Sequence, residues 1–218
     1  MSSSCACPKI ERASTITYLG IEIDEKLTWD PHCQKLCARL RKLIYKFIQL
    51  REILNLQSLK NVYYALVDSL ISYGIIVWGG AASVHLDQVY KIQKLLIRVI
   101  NRKPPLYPSE QLFKEYSVLN VRQTYIHKAT MHLKTNPNTQ HRRLHLHDTR
   151  IRDTQLLLPK VSKTFTQRQA IYVATKIYNQ LPEEFKQFSK FKLKKELQLW
   201  LINKGVSDAD NLAFGQLQ

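Results

Sequence analysis

Acidic residues are scarce in this sequence: 17 Asp and Glu stand against 33 Lys and Arg, giving a net charge of +16 and a pI near 9.8. The excess is steepest over residues 120–205, and a surplus of this size points to a polyanionic partner, nucleic acid ahead of an anionic membrane. The few close acidic pairs are Asp24-Glu25, Glu183-Glu184 and Asp208 with Asp210. The first two fall in turns and the third in a tail, so none reads as a carboxylate pair placed to hold two metal ions. Glycine is also sparse, with 6 residues, and no phosphate-cradling glycine loop, G-x-S-x-G or H-E-x-x-H pattern occurs. The 4 cysteines, Cys5, Cys7, Cys33 and Cys37, lack the spacing of a structural zinc site, with or without His32. Cys33 and Cys37 lie one helical turn apart on an apolar face and read as free buried thiols in a reducing compartment. No apolar run is long enough to span a membrane: Val62–Trp78 is interrupted by Asp68, Ser69, Ser72 and Gly74. Met1–Pro8 has neither the basic start nor the apolar stretch of a signal peptide. No membrane, metal or cofactor is therefore expected.

What is present begins with a strand. Thr17, Leu19, Ile21 and Ile23 fall on one side, and Ile16, Tyr18, Gly20 and Glu22 on the other. Gly20, inside this strand, marks a bulge or a close approach of another backbone or a ligand. Asp24-Glu25-Lys26 turns the chain, Leu27 and Trp29 return to the core, and Asp30-Pro31 opens a helix as N-cap and first residue. That helix runs to about Leu54, with Cys33, Leu36, Leu40, Leu43, Phe47, Leu50 and Leu54 as its apolar seam. A second helix over 57–78 is apolar nearly all round, with Gly74 allowing a close crossing and Gly79-Gly80 as its stop. A third follows from Ser83 to about Asn101, a short one capped by Ser109 reaches Tyr116, and another covers 121–134. After a basic loop carrying His141, His145 and His147, Leu156–Leu158 and Val161–Phe165 read as short strands. Helices over 167–180 and from Ser189 to Gly205 complete the chain.

Charge is patterned on these helices. Lys35, Arg39, Lys42 and Lys46 share one face of the first helix, and no acidic residue lies between Asp30 and Glu52 to pair with them within it. Lys91, Lys94, Arg98 and Arg102 form a second basic edge on the third helix. Lys190, Lys192, Lys194 and Lys195 crowd the start of the last, the unfavourable end of the helix dipole for cations. These rows suit phosphates, and Tyr45 and Tyr64 are candidates either for base stacking or for core packing.

Several of these residues also carry a family resemblance. Tyr18-Leu-Gly-Ile-Glu-Ile-Asp24, followed by Leu27, Trp29 and His32, resembles the segment just past the palm in reverse transcriptases of non-LTR, LINE-type retrotransposons of the jockey and RTE-like sort. Ser72-Tyr-Gly, Trp78-Gly79, Ile92-Gln93 and Ile97-Arg98 are similar to their helical thumb and connection. Asn179-x-Leu-Pro182, Ser189 and Phe191-Lys192 are similar to their C-terminal end, with Tyr178 in place of an expected tryptophan. The match runs over about 16–203 in order and spacing. It implies that Tyr18–Ile23 is the primer-grip hairpin, with Tyr18 and Gly20 near the primer, and that the basic rows track template–primer backbone. RNA, DNA or an RNA–DNA heteroduplex is the implied partner, with a palm domain met in trans.

The palm, fingers and Tyr/Phe-x-Asp-Asp metal site of such enzymes are absent from the sequence. The expectation is a truncated reverse transcriptase that binds nucleic acid without polymerase activity of its own, in the nucleus or a cytoplasmic ribonucleoprotein. The expected fold is mainly α, a thumb-like helical bundle preceded by a short β-hairpin, with a smaller mixed helical C-terminal region. The expected divisions are 1–15 disordered or partial strand, 16–134 hairpin and thumb, 135–150 loop, 151–205 C-terminal helices and 206–218 tail. Two other readings stand beside this one: a domesticated helical protein-interaction module, and a metal enzyme using His141, His145 and His147.

Overall fold

A computed structural model describes residues 12–136 and 155–214. Strands β1 (Thr15–Tyr18) and β2 (Ile21–Asp24) pair antiparallel, with Thr15 opposite Asp24 and Tyr18 opposite Ile21. Leu19 and Gly20 between them both adopt positive φ, 46° and 79°, the two-residue hairpin turn whose twist matches its strands. This corrects the single strand through Gly20 to Ile23. The alternation is real, but the chain reverses at Leu19-Gly20, where glycine removes the steric penalty at the second turn position. β1 is exposed along its length, while β2 is half-buried.

The Asp24 carboxylate organises the turn out of the hairpin. It accepts hydrogen bonds from the Thr28 N–H (2.9 Å), the Thr28 hydroxyl (3.0 Å) and the Trp29 N–H (2.9 Å). Burial works against its charge, but these donors outweigh it and hold Asp24 below the ordinary carboxylate range. The resulting loop places Trp29, at φ 65°, in the N-cap position of α1 (Asp30–Leu50). Asp30 is thus the first helical residue, not the N-cap, and its carboxylate instead takes the Gln34 amide (2.8 Å) and lies 2.8 Å from His85 Nδ1. Trp29 enters the core as expected, whereas Leu27 stays exposed.

α1 buries Cys33, Leu36, Leu40 and Phe47 of its predicted seam. Cys33 and Cys37 are free and buried, and burial pushes the Cys33 thiol up to about 12. Asn55 then caps α2 (Leu56–Tyr63) by accepting the Ser58 N–H. The predicted unbroken second helix is instead segmented. α2 passes through a π turn (Tyr64–Asp68) into α3 (Ser69–Ser72), then breaks at Tyr73 (ψ 119°) and Gly74 (φ 59°) before α4 (Ile75–Trp78). The buried residues Leu59, Tyr63, Val67, Ile71 and Ile75 recur every four positions. That interval overruns the 3.6-residue α turn, and the wider π turn recovers the drift. Burial is therefore one-sided, and Leu66, Tyr73 and Val77 are exposed.

α5 (Ser83–Ile100) lies parallel to α1, with His85 beside Asp30 at their starts and the Arg51 guanidinium donating to the Val99 carbonyl (3.3 Å) at their ends. α6 (Ser109–Tyr116) follows Pro108, which occupies the N-cap position expected of Ser109. α7 (Val121–Thr135) opens with an Asn120–Gln123 capping box, and Gln123 also donates to the carbonyls of Leu201 and Gly205. Gln93 of α5 is buried between these parts. Its amide nitrogen donates to Tyr63 Oη and the Leu119 carbonyl, and its oxygen accepts the Val121 N–H.

The two short strands expected around Pro159 are not formed. Leu156 is reduced to a single-residue β-bridge, and its N–H and carbonyl are both bonded to the Asn179 side chain (2.8 and 2.9 Å). The second expected strand contains the start of α8 (Thr164–Gln167). α9 (Ala170–Gln180), α10 (Glu183–Gln187) and α11 (Lys190–Phe214) follow, the last broken at Gly205 (φ 83°). α7 packs against α9 and α11, and one hydrophobic cluster extends from Trp29 to Ile202. The described chain is thus mainly α behind a short β-hairpin, as the periodicity predicts. Among the described residues no helix is long and apolar enough to cross a membrane. Cys5, Cys7, His141, His145 and His147 lie outside the described residues, as do the expected N-terminal disorder and most of the basic loop.

Candidate nucleic-acid interface

The hairpin tip is held where α3 breaks. The Tyr73 hydroxyl donates to the Leu19 carbonyl (2.7 Å), and the Trp78 indole donates to the Tyr73 carbonyl (3.0 Å). At Gly74 a β-carbon would sit 2.5 Å from Ile21 Cδ1, so the hairpin rests directly on the glycine backbone. Ser72-Tyr-Gly and Trp78 thus act together as a seat for the hairpin. His32 of α1 packs its ring on Trp78 (5.2 Å between centroids), and its Nδ1 faces the Glu22 N–H at 3.4 Å. Burial pushes His32 below its usual range, consistent with a neutral ring that accepts at Nδ1.

Between hairpin and helices runs a groove of about 420 Å³, lined by Gly20, His32, Lys35, Arg39, Ser69 and Tyr73 among others. The fold therefore brings together three of the predicted residues, Gly20, Lys35 and Arg39. Tyr18 is exposed on β1. Lys42 and Lys46 continue the row along α1, exposed like Arg39 and without an ion pair among the described residues. Lys35 is different. Its ammonium pairs with Glu22, which also accepts the Thr17 hydroxyl (3.0 and 2.9 Å), and these two partners hold the Glu22 carboxyl below its ordinary range. The row expected to be wholly unpaired is therefore neutralised at its hairpin end by a strand thirteen residues upstream. Tyr45, between Lys42 and Lys46, is 66% exposed, which removes the core-packing reading for that residue.

The second basic edge is corrected further. Arg102 pairs with Glu52 (3.0 Å) and donates to the Arg51 carbonyl (2.9 Å), and Arg98 donates to the Tyr107 carbonyl (2.8 Å). Lys94 lies over the Tyr90 ring, and burial followed by its cationic neighbours Arg98 and Lys91 pushes its pKa down. Only Lys91 of that edge is both exposed and free of an ion pair among the described residues. On α11, Lys190 and Lys194 are exposed. Lys192 lies over the Phe188 ring at 4.0 Å. Sequence reasoning missed Tyr73 and His32 as groove residues. The signal was a Ser-Tyr-Gly triplet interrupting an otherwise apolar helix. Among the described residues no group of three His, Cys, Asp or Glu side chains is placed to hold a metal ion.

Fold and groove together define a basic, mainly helical chain whose hairpin walls a cationic cleft. Comparison with curated proteins shows what this chain is similar to. It is 27% identical over 150 residues to the probable RNA-directed DNA polymerase from transposon BS of Drosophila melanogaster, covering 66% of this chain and 14% of that protein. It is likewise 27% identical over 137 residues to the RNA-directed DNA polymerase from mobile element jockey of the same organism, covering 58% and 14%. For the probable RNA-directed DNA polymerase from transposon X-element the figures are 27% over 94 residues, 42% and 10%. The resemblance is thus met in three non-LTR element polymerases, of whose length the chain spans at most 14%. No family model and no solved structure matches the chain.

Proposed function

We propose that this chain derives from a non-LTR retrotransposon reverse transcriptase and grips template–primer nucleic acid, whether RNA, DNA or heteroduplex, along α1. The observation that carries this reading is the row Arg39, Lys42 and Lys46, which leads out of the hairpin groove with no ion pair among the described residues. At 1.5 Å per residue, Lys35 to Lys46 spans about 16 Å, enough to follow several phosphates of one strand. Tyr45, set within the row, offers a ring on which an unpaired base can stack. The contacts are to backbone, so binding is largely independent of sequence.

Polymerase activity is proposed to need a palm domain supplied in trans, within a nuclear or cytoplasmic ribonucleoprotein. In support, the Asp24 carboxylate is saturated by Thr28 and Trp29, Glu25 pairs with Arg12, and Glu183 pairs with Lys186. These acids serve the fold.

The test is the salt dependence of duplex binding. Replacing Arg39, Lys42 and Lys46 by Gln is expected to reduce the slope of log affinity against log salt by about 2 to 3. Lys35→Gln alone is expected to change it less, because Glu22 already holds that ammonium. An unchanged slope in the triple variant would show that this face is only solvated. A second reading, a protein-interaction module, is favoured by an apolar groove of about 430 Å³ lined by Leu27, Val77, Phe165 and Ile171. Absence of nucleic-acid binding, or binding indifferent to salt, would support that reading instead.

A further inference from the structure

A third, smaller cavity of about 220 Å³ is lined by Tyr64, Asp68, Thr124, His127, Lys194 and Gln198, with Lys128 alongside. Three elements build it. The π turn, closed by the Ser69 N–H on the Tyr64 carbonyl, contributes Tyr64 and Asp68. Such turns recur at functional sites because they disturb helix geometry without ending the helix. α7 contributes Thr124, His127 and Lys128 at i, i+3 and i+4, and α11 contributes Lys194 and Gln198 at i and i+4.

The polar groups of this cavity are unevenly satisfied. Thr124 is 3% exposed, yet its hydroxyl has no hydrogen-bond partner among the described residues. The Asp68 carboxyl makes no hydrogen bond or ion pair among them, and burial pushes it up while Lys128 pulls the other way. His127 Nε2 lies 2.9 Å from the Lys194 carbonyl, which only accepts, so Nδ1 is left as an acceptor. Burial pushes His127 below its usual range, ahead of the opposing bond to that carbonyl. The Tyr64 hydroxyl is already given to the Ser117 carbonyl (3.2 Å) and accepts a hydrogen bond from the Gln198 side chain.

These groups select the ligand. A bare anion meets the Asp68 carboxylate, a metal ion meets two lysines and one carboxylate, and an apolar molecule strands the Thr124 hydroxyl and the His127 imidazole. A nucleotide meets the remaining groups: N–H donors of the base for Asp68 and for His127 Nδ1, ring and carbonyl acceptors for Thr124 and the free amide hydrogen of Gln198, and phosphates for the two lysines. The cavity is smaller than the roughly 300–1,000 Å³ of pockets that enclose a whole small ligand, so the base enters and the phosphates stay at the rim. An ionised carboxylate only accepts, and guanine alone presents two adjacent N–H donors on its Watson–Crick edge. We propose that this cavity receives one unpaired guanine of a bound strand, with the flanking phosphates on Lys128 and Lys194. The inference rests on the nucleic-acid reading above and adds to it a base-selective site.

The test compares the affinity of the full chain for an RNA duplex with one bulged guanosine, for the fully paired duplex, and for duplexes with bulged adenosine, cytidine or uridine. The bulged guanosine is expected to bind about tenfold tighter than the others. Asp68→Asn, close to isosteric, is expected to abolish that preference and leave paired-duplex affinity unchanged, with Gln198→Ala at a half-exposed position reducing it. Equal binding of all duplexes, or a preference that survives Asp68→Asn, overturns the site and leaves the α1 reading standing. Failure to bind any duplex overturns both.

Discussion

Replacing Gln93 by Leu isolates the buried polar junction between α5, the π-containing helix and α7. Leucine nearly preserves volume but removes every hydrogen bond the amide makes. Three partners are then stranded: Tyr63 Oη and the Leu119 carbonyl, which accept from the amide nitrogen at 2.9 Å each, and the Val121 N–H, which donates to its oxygen at 3.0 Å. All three belong to buried residues, so water does not replace the lost partners without opening the core. Leaving a buried donor or acceptor unmade costs about 1–3 kcal/mol each. With partial relaxation the expected loss is about 3–4 kcal/mol, a large part of the 5–15 kcal/mol typical of a folded domain. Urea unfolding followed by tryptophan fluorescence measures it as a shifted midpoint at unchanged slope. The double variant Tyr63→Phe/Gln93→Leu removes one stranded group and is expected to recover about 1 kcal/mol relative to Gln93→Leu. A loss below about 1 kcal/mol, or no recovery in the double variant, would refute the assignment of this cluster as a structural junction.

Gly74→Ala forces a β-carbon into the left-handed region and against Ile21 Cδ1, and is expected to destabilise by about 1–2 kcal/mol from backbone strain alone. Faster proteolysis within Thr15–Asp24 would locate the effect at the hairpin, and an unchanged cleavage rate there would count against the seat. Two buried histidines, His32 and His127, have folded pKa values lowered by burial from an ordinary 6.5. Their unfolded forms take up protons first, so their stabilisation is complete above about pH 6.5 and is lost as pH falls below it toward the folded values. Asp68, pushed the other way, opposes this at lower pH. The His127→Asn variant is therefore expected to show a flatter fall in stability between pH 7 and 5 than the parent chain, and parallel curves would refute the linkage.

Helices with one-sided apolar spacing were legible because periodicity is a property of a single segment. Cys33, Leu36, Leu40 and Phe47 are buried as their spacing requires, and so are Leu86, Val89, Leu96, Ile97 and Ile100. Errors fell where the backbone leaves regular geometry. The Leu19-Gly20 reversal keeps strand alternation on both sides of it, and so reads as one strand. The π turn and the Tyr73-Gly74 break are hidden inside a continuous apolar run. Of the strands expected around Pro159, the first is reduced to a bridge at Leu156 whose backbone also meets the Asn179 side chain, twenty-three residues away, and the second gives way to the start of α8.

What the sequence determined by itself was the helical class, the cationic excess and the likeness to mobile-element polymerases, the last carrying the hairpin with it, since each is written in local spacing or ordered motifs. Which lysines and arginines remain available was decided only in three dimensions. Pairing rules within a helix see neighbours three or four residues away, whereas Glu22 reaches Lys35 and Glu52 reaches Arg102 from other elements. Coulombic attraction depends on distance through space, and the fold alone sets that distance.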